Sequence, residues 1–526
     1  MNPPDQLARD PYEPYRVKEP LNTSLLPSPV LDAQPRVIEL YWKAWEIAWR
    51  HVLERNDTPQ RRYIDPGMNP GTTWVWDSCL MAMYCKFAPQ FPGVETLNQF
   101  YYIIHDHRPS AVKIHFADNP PLFAWVEWQY YVMTGDVERL KFLDEHRYLE
   151  KHFNFIDHAK RMKYNPAVRV WPTASRHPLG YTWQGNTSGM DNTPRGRNAV
   201  NVTRINPRGQ IGFNLIFWLD LLAQQALSAR FIAKIAAALG QAEKSAKFEG
   251  TYNGLVDLLN TYYWDEQDGI YYDISRRPTW WLRSRHKQGK NIMKKVPTIA
   301  SYWPMLAGAC NEHQAAALAA KASDPNMFGT LVPWPSLARC DPDFDPAGRY
   351  WRGGVWLPTA YMATKALEQY GYHEVADANA EGVVTAMVNA YHDVEPHTIW
   401  EVYSPTESKP ASHKVKGSKE PVRDEFCGWS ALGPISLLIE NVIGFHVIDA
   451  PRRCISWRVH QPGKSGIKNL RFGPVVADLV HDAGKIRVSA SEPFDLLVTG
   501  SRGETLQKVP VKKGSQSFDL DIKKLE

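Results

Sequence analysis

The 526-residue chain lacks any long apolar run. No segment approaches the roughly 18 consecutive apolar residues that a membrane-spanning helix needs. The first residues, MNPPDQLARDPYEP, contain no apolar core of the kind that secretory signal peptides carry. We therefore predict a soluble protein with no membrane partner. It is either cytoplasmic or exported with a signal already removed, so the compartment stays open.

Cysteine and an excess of one charge are also scarce. Six cysteines are scattered along the chain, with no CxxC pair and no Cys/His spacing typical of zinc. We predict no cofactor and no metal site, although whether a structural calcium is bound stays open. The 61 basic and 56 acidic residues nearly balance, for a formal net charge of +5, and no concentrated basic block is present. Since a phosphate backbone requires such a block, we expect no nucleic-acid partner. The oligomeric state is not indicated.

Apolar residues at three- and four-residue steps are abundant between residues 36 and 445. In RVIELYWKAWEIAWRHVL, for example, Val37, Tyr41 and Trp45 belong to one apolar stripe. Such stripes predict about a dozen helices, and helical hairpins stacked in a ring fit that number. Besides the first one, the predicted helices cover residues 74–87, 93–104, 121–134, 137–162, 209–239, 242–264, 299–308, 312–322, 354–370, 373–391 and 427–443.

The two ends of the chain have a different texture. Residues 1–35 are rich in proline and poor in periodicity, which predicts an extended arm over the main domain. From residue 446 onward, short alternating runs such as KIRVSASEPFDLLVTG have the period of strands. We predict a mainly α protein with three parts: the arm at 1–35, a helical domain at 36–445 and a small β-sandwich-like domain at 446–526.

The chain contains 20 tryptophans. Trp42, Trp45, Trp49 and Trp218 lie in helical patterns, where packing in the core is the expected role. Others lie in loops or at helix ends beside charged residues. A Trp ring offers a flat apolar face that suits the CH face of a sugar. The tryptophans of this second group are therefore candidates for sugar binding: Trp74, Trp76, Trp171, Trp183, Trp351, Trp356, Trp400 and Trp429.

Five motifs together resemble a known group of enzymes. In chain order they are WVWDSCL at 74–80, SGMDNTPR at 188–195, YWRGGVW at 350–356, WEVYSP at 400–405 and FCGWSALGP at 426–434. Their residues and their order are similar to those of inverting glycosidases built on an (α/α)6 barrel. That group includes trehalases, mannosylglycerate hydrolases, and processing α-glucosidase I with its bacterial relatives in glycoside hydrolase family 63. The resemblance spans residues 60–443 and implies the same toroid here.

The resemblance implies a general acid at Asp191 and a general base at Glu401. Glycoside hydrolysis needs one carboxyl group to protonate the leaving oxygen and another to activate water. We expect Asp191 to be buried against the apolar Met190 and the sugar, which would raise its pKa. We expect Glu401 to stay charged in a wetter, hydrogen-bonded place. A cation near Asp191 would lower its pKa, so Arg195 is expected to bind substrate hydroxyls or the second carboxylate instead.

The same resemblance implies the residues that bind the sugar in subsite −1. Trp76 would stack on the ring, and the Asp77 carboxylate would accept hydrogen bonds from hydroxyls. Trp351, Arg352 and Trp356 would line the pocket, and Trp429 would close it. The acid motif SGMDNTPR differs from the trehalase form SGWDFSSRW, so the family-63-like branch fits better. An α-glucoside-like oligosaccharide is the expected substrate, although the sugar, linkage and aglycone stay open.

Alternatives remain at two sets of acidic residues. Asp424 and Glu425 precede the last motif, and either could be the base in place of Glu401. Asp265, Asp268 and Asp273 resemble part of a calcium loop because oxygen ligands at short spacing suit that ion. Their spacing departs from an EF-hand, however, and a turn at the end of a helix is the preferred interpretation.

Two other functional classes stay open. Some polysaccharide lyases use the same toroid with Tyr and His as acid and base, and this chain has a histidine-rich run, HDHRPSAVKIHF, at 105–116. Ordinary packing of polar loop residues also explains that run. A carbohydrate-binding scaffold without turnover is the other alternative, but two separated carboxylate motifs favour an enzyme.

Overall fold

The protein is mainly helical. The structure, a computed structural model, describes residues 10–158, 165–169, 172–183, 185–196, 216–275, 292–413 and 422–520. Trp171, named above as a sugar-binding candidate, lies outside these residues. Among the residues described, two helical elements are π-helices, Tyr101–His105 and Gly433–Val442. The α-helices are α1 Pro35–Trp49, α2 Val75–Cys85, α3 Gly93–Phe100, α4 Phe123–Thr134, α5 Val137–Glu145, α6 Tyr148–Asp157, α7 Leu219–Ala238, α8 Ala242–Tyr262, α9 Trp303–Ala307, α10 Glu312–Ser323, α11 Leu357–Gln369 and α12 His373–Asp393.

Helices of two kinds occur along the chain. α2 and the π-helix Gly433–Val442 are buried at every position, and α7 and α11 at most of theirs. In contrast, α8 and α10 bury one face each, as their amphipathic sequences predict. α7 packs against α8, and α12 packs against both α11 and the π-helix. Among the described residues, no helix combines the length and the apolar character required to cross a bilayer.

Short strands interrupt the helical part. β1, Ser28–Leu31, belongs to the N-terminal arm. The next eleven lie in loops between helices and form small sheets, among them a five-stranded sheet of order β12-β11-β8-β7-β6. They are β2 Val52–Glu54, β3 Arg62–Ile64, β4 Thr72–Thr73, β5 Lys113–Ile114, β6 Ser175–His177, β7 Gly180–Thr182, β8 Ile216–Phe217, β9 Trp264–Asp265, β10 Ile270–Tyr271, β11 Asp273–Ser275 and β12 Ile292–Lys294.

Two sheets form a β-sandwich-like region at the C-terminal end. One has the order β1-β15-β16-β17-β20, and the other has the order β13-β14-β18-β19. The strands alternate buried and exposed positions, as in β17. Their bounds are β13 Val447–Asp449, β14 Cys454–Trp457, β15 Ser465–Phe472, β16 Val475–Asp482, β17 Lys485–Ala490, β18 Phe494–Thr499, β19 Thr505–Val511 and β20 Gly514–Asp519.

A buried charge cluster lies where the helical part meets these sheets. The His446 ring lies between two carboxylates, with Nδ1 3.5 Å from Glu368 and Nε2 3.5 Å from Asp377. Burial opposes the charged imidazole, but the two carboxylates outweigh it and raise the pKa of His446 to about 9. A metal ion would bind one ring nitrogen, whereas here each nitrogen has its own carboxylate. The arrangement therefore suits a protonated imidazole.

The structure differs from the sequence-based expectations in three elements. The helix expected over 137–162 is divided into α5 and α6, because Arg147 adopts a left-handed backbone with φ of 54°. The part of 209–239 that the structure describes begins with β8, and α7 starts only at Leu219. The arm at 1–35 does more than cover the helices: β1 pairs antiparallel with β15 and forms one edge of a C-terminal sheet.

Candidate active site

Several expected sugar-binding residues lie at the starts of buried helices. Trp76 and Asp77 occupy the first turn of α2. Trp356 is the N-cap residue of α11. Trp429 directly precedes a 3₁₀ turn that leads into the π-helix Gly433–Val442. Residues from three distant motifs therefore occupy equivalent positions, each at the N-terminal end of a buried helical segment.

Four tryptophans from three motifs contact one another. The Trp351 and Trp356 rings stack with centroids 4.1 Å apart and an interplanar angle of 7°. Trp76 lies 6.2 Å from Trp351 and 6.2 Å from Trp429, and Trp356 lies 5.6 Å from Trp429. The structure thus brings together all four tryptophans that the motifs assign to subsite −1. Their rings provide the apolar surface on which a sugar can stack.

Glu401 is held beside this aromatic cluster. The residue is only 5% exposed, and its carboxylate accepts a 3.3 Å hydrogen bond from the Tyr350 hydroxyl. Its backbone is fixed on both sides, because its N–H donates to the Arg423 carbonyl at 2.9 Å and its carbonyl accepts from Trp429 Nε1 at 3.1 Å. Burial raises the pKa of Glu401, while the positive charge of Arg423 and the Tyr350 hydroxyl act to lower it.

Asp77 supplies a second buried carboxyl group near Glu401. It is 1% exposed, and its Oδ1 atom has no hydrogen-bond partner among the described residues. Burial raises the pKa of Asp77 well above its usual value, and the charges of Glu401 and Asp65 raise it further. A buried carboxyl oxygen without a partner costs free energy, so it marks a place where ligand hydroxyls could donate.

Asp191 lies in a short loop between two 3₁₀ turns, Gly185–Ser188 and Pro194–Gly196. Gly189 in this loop has φ of 80°, and a Cβ there would lie 3.0 Å from the Trp76 ring, so the loop packs directly on the aromatic cluster. Burial raises the pKa of Tyr350, and the charges of Glu401 and Asp191 raise it further. Asn192, the residue after Asp191, bonds the Arg349 carbonyl and the Trp351 N–H, so Tyr350 lies beside this loop as well as against Glu401.

The environments of the two carboxyl groups are the reverse of those expected. Met190 is buried, but Asp191 itself is exposed, whereas Glu401 is buried with a raised pKa. The expectation failed because the hydrophobicity of a neighbour in sequence does not fix where a loop side chain points. Met190 and Asp191 are consecutive residues of one loop, and their side chains lie in different surroundings.

Arg195 has other partners than the sequence suggested. It is 2% exposed, and its guanidinium bonds Asp273 through Nε and Nη2 at 2.6 Å each. Nη1 and Nη2 donate to Asp220 at 2.7 and 3.1 Å, and Nη1 also faces the Met190 sulfur at 3.8 Å. All five N–H donors thus have acceptors within the protein. We correct the expectation that Arg195 binds substrate: it anchors the end of the loop that carries Asp191 to α7 and β11.

The remaining expected site residues, Arg352, Asp424 and Glu425, lie in two kinds of surroundings. Arg352 donates from Nε to the Asn192 carbonyl at 2.7 Å and forms an ion pair with Asp343 at 3.2 Å, so it contacts the loop that carries Asp191. Asp424 and Glu425, the alternative bases, are both exposed, and Glu425 pairs with Arg50 at 3.4 Å.

The acidic turn and the histidine-rich run have structural partners. Lys295 Nζ lies 3.0 Å from Asp265 and 2.9 Å from Asp268, so a lysine cation occupies the place between these carboxylates. Asp273 instead pairs with Arg195, as described above. In the other segment, His105 contacts the His152 ring at 3.3 Å, and burial lowers the pKa of His105 to about 3. The three aspartates are therefore paired with cations of the protein itself, and His105 is buried against another ring.

Sequence reasoning missed three residues around the carboxyl groups. Tyr350 contacts Glu401, Arg423 supplies a nearby positive charge, and Asn192 bonds the Trp351 backbone N–H at 2.8 Å. Tyr350 and Asn192 are each adjacent to a residue that the motifs had singled out, and that adjacency was the available signal. Arg423 lies outside the five motifs.

Comparisons with known proteins identify the family of this chain. Residues 72–420 match the mannosylglycerate hydrolase MGH1-like glycoside hydrolase domain. An uncharacterized protein of Borreliella burgdorferi is 23% identical over 506 residues, 92% of this chain and 95% of that protein. A probable mannosyl-oligosaccharide glucosidase of Schizosaccharomyces pombe is 24% identical over 278 residues, which is 50% of this chain and 30% of the yeast protein.

A solved structure shows the same fold. The mannosylglycerate hydrolase of glycoside hydrolase family 63 from Thermus thermophilus, in complex with glucose, superposes with a TM-score of 0.55 at 18% identity. The match covers 76% of this chain and 99% of the Thermus chain. The matched domain includes the motifs of Asp77, Asp191, Trp351 and Glu401, and its family is one of hydrolases rather than lyases. The chain therefore belongs to the MGH1-like glycoside hydrolases of family 63, and it is a glycosidase.

Proposed function

We propose that this glycosidase cleaves an α-glycosidic bond with inversion, with Asp191 as general acid and Glu401 as general base. The observation that carries this proposal is the arrangement around Tyr350. Its hydroxyl bonds Glu401 at 3.3 Å, and Asn192, the residue after Asp191, bonds the backbone on both sides of Tyr350 at 3.1 and 2.8 Å. Two carboxyl groups from motifs 210 positions apart are thus near one phenol, beside a cluster of tryptophans.

Each carboxyl group has a defined task in this mechanism. Asp191 donates its proton to the leaving oxygen, and Glu401 removes a proton from the water that attacks the opposite face of the sugar. Room for that water requires about 6.5 to 9.5 Å between the two groups. Trp76, Trp351 and Trp429 stack on the sugar, while the unpartnered Asp77 oxygen accepts hydrogen bonds from its hydroxyls.

The protonation states follow from the surroundings once substrate is bound. Glu401 must be ionised, and the Arg423 charge and the Tyr350 hydrogen bond oppose the effect of its burial. Asp191 is exposed in the free protein, so its desolvation has to come from the sugar that covers it. Covering the acid in this way raises its pKa as the substrate binds, which couples proton donation to substrate binding.

The fold that supports this chemistry is, in our proposal, an (α/α)6 toroid. Buried helices such as α2, α7 and α11 would form its inner ring, with the site at their N-terminal ends. We assign residues 36–445 to this catalytic domain and residues 446–526 to a supporting β domain without catalytic side chains. The preceding arm, 1–35, adds β1 to that domain.

An α-glucoside-like oligosaccharide is the proposed substrate. The Schizosaccharomyces pombe relative is named as a glucosidase. The matched family and the Thermus neighbour are both named for mannosylglycerate hydrolase. Mannosylglycerate is accordingly the alternative substrate. A panel of α-glucosides, α-mannosides and mannosylglycerate, assayed for released reducing sugar, decides between them. No hydrolysis of any α-linked compound would contradict the proposed function and favour a binding scaffold.

The roles of the carboxyl groups are tested by three matched variants. Glu401→Gln should slow hydrolysis by roughly 10² to 10⁴ on every substrate, because each needs an activated water. Asp191→Asn should lose a similar factor on a disaccharide but much less on a glycosyl fluoride, whose leaving group needs little protonation. Glu425→Gln, an exposed acid in the alternative base motif, should keep wild-type turnover. Loss of activity in Glu425→Gln with retention in Glu401→Gln would overturn the assignment.

A further inference from the structure

A strained turn lies between the two segments that carry the proposed acid and base. Arg349 and Tyr350 are consecutive residues with positive φ, at 29° and 64°, and neither is glycine. Side chains disfavour this left-handed region, so such a turn persists only where the surroundings hold it. Tyr350 is the residue whose hydroxyl bonds Glu401, and the turn therefore sets the direction from which that bond is made.

The Asn192 side chain closes over this turn. Its Nδ2 donates to the Arg349 carbonyl at 3.1 Å, and its Oδ1 accepts from the Trp351 N–H at 2.8 Å. If the Asn192 amide were flipped, its NH₂ group would face the Trp351 N–H, and two donors would meet. The two bonds therefore fix the orientation of the Asn192 side chain. In addition, the Asn192 carbonyl accepts from Arg352 Nε at 2.7 Å. Asn192 thus bonds the backbone on both sides of Tyr350, and it also bonds the Arg352 side chain.

Asn192 is also the residue directly after the proposed acid, Asp191. The loop that carries Asp191 can move away from the strained turn only if the bonds made by the Asn192 side chain break. The same turn holds Tyr350 against Glu401. Resting on the function proposed above, we propose that Asn192 is a positioning residue that sets the placement of the acid relative to the base. It touches neither the leaving group nor the attacking water, and it acts through the loop and the turn.

A purely structural role is the competing explanation, and the chain contains a matched control for it. The Asn165 side chain makes the same two kinds of bond, donating to the Ile103 carbonyl at 2.7 Å and accepting from the Ala167 N–H at 2.9 Å. Asn165 is buried and contacts none of the proposed site residues in these bonds. Asn165→Ala and Asn192→Ala therefore remove the same two kinds of hydrogen bond, one pair away from the site and one pair within it.

The experiment compares both variants with the wild type on an α-glucosyl disaccharide and on α-glucosyl fluoride. Asn192→Ala should lower kcat on the disaccharide by about 10²-fold, the loss that follows from misplacing a reacting group by about 1 Å. KM should change little, and the loss on the fluoride should be much smaller because the fluoride needs little protonation. Asn165→Ala should keep both kcat values while lowering the denaturation midpoint.

A second variant guards against misfolding. Asn192→Asp keeps the side-chain volume and an acceptor for the Trp351 N–H but loses the donor to Arg349, and it should show the same selective loss on the disaccharide. Equal losses of Asn192→Ala on both substrates, or no loss in either Asn192 variant, would overturn the positioning role. An inactive wild-type protein would instead overturn the proposed function itself, and the two failures are therefore distinguishable.

Discussion

Replacing Arg195 by Met should destabilise the protein strongly without a specific effect on substrate binding. Arg195, Asp220 and Asp273 are all buried, and the guanidinium provides the cation for both carboxylates. Removing one partner of such a buried pair costs about 3 to 5 kcal/mol, because a charge is left without compensation. Arg36 is the control, since its 3.2 Å ion pair with Asp393 is exposed and such pairs contribute about 0 to 1 kcal/mol.

The pH dependence gives this prediction a second readout. Burial already raises the pKa of Asp220, and the Arg195 charge acts against that effect. Without Arg195, the folded-state pKa of Asp220 rises further above its unfolded value, so the folded variant binds more protons than the unfolded one. The free energy of unfolding of Arg195→Met should therefore increase as the pH falls. Its difference from the wild-type value should become smaller between about pH 8 and about pH 5.

Urea denaturation of wild type, Arg195→Met and Arg36→Met at both pH values measures these effects. Adding Asp220→Asn to Arg195→Met should recover part of the lost stability, because it removes one of the two uncompensated charges. A cost for Arg195→Met no larger than that for Arg36→Met, combined with a raised KM, would refute the reasoning. It would restore Arg195 as a residue that binds substrate hydroxyls.

Three further predictions concern single side chains. Tyr350→Phe removes a hydrogen bond that lowers the pKa of Glu401, so the acidic limb of the kcat profile should move to higher pH; an unchanged limb would contradict this. The raised pKa of His446 stabilises the fold fully below about pH 6.5, by roughly 3 kcal/mol, and the effect is lost as pH rises through about 9. His446→Gln should thus lower the urea midpoint at about pH 6 but hardly at about pH 10, whereas an equal loss at both would exclude the charged imidazole. Gly189→Ala places a Cβ against the Trp76 ring at positive φ, so kcat/KM should fall at least about tenfold. A kcat/KM equal to that of the wild type would disprove this prediction.

Periodicity predicted most of the helical part of the fold. The stripe containing Val37, Tyr41 and Trp45 became the buried face of α1, since a 3.6-residue period places those residues on one side. The division of the 137–162 segment could not be foreseen, because the left-handed residue is an arginine, for which no local preference exists. Likewise, the pairing of β1 with β15 joins residues more than 430 positions apart, and a local sequence pattern cannot predict so distant a pairing.

The site was predictable as a set of motifs but not as a set of environments. The sequence predicted that Trp76, Trp351, Trp356 and Trp429 act together, and the structure brings their rings into contact. It did not predict that Arg195 is enclosed by two aspartates, because Asp220 and Asp273 lie 25 and 78 positions away. Burial and partners of charged groups depend on such distant contacts, which single motifs do not contain.

The anomeric form of the first product tests the proposed mechanism most directly. Proton NMR during hydrolysis of an α-linked substrate identifies the anomer before mutarotation mixes the two forms. With Asp191 protonating the leaving group and Glu401 directing water to the opposite face, the β-anomer should appear first. Initial release of the α-anomer would contradict inversion and, with it, the roles assigned to the two carboxyl groups.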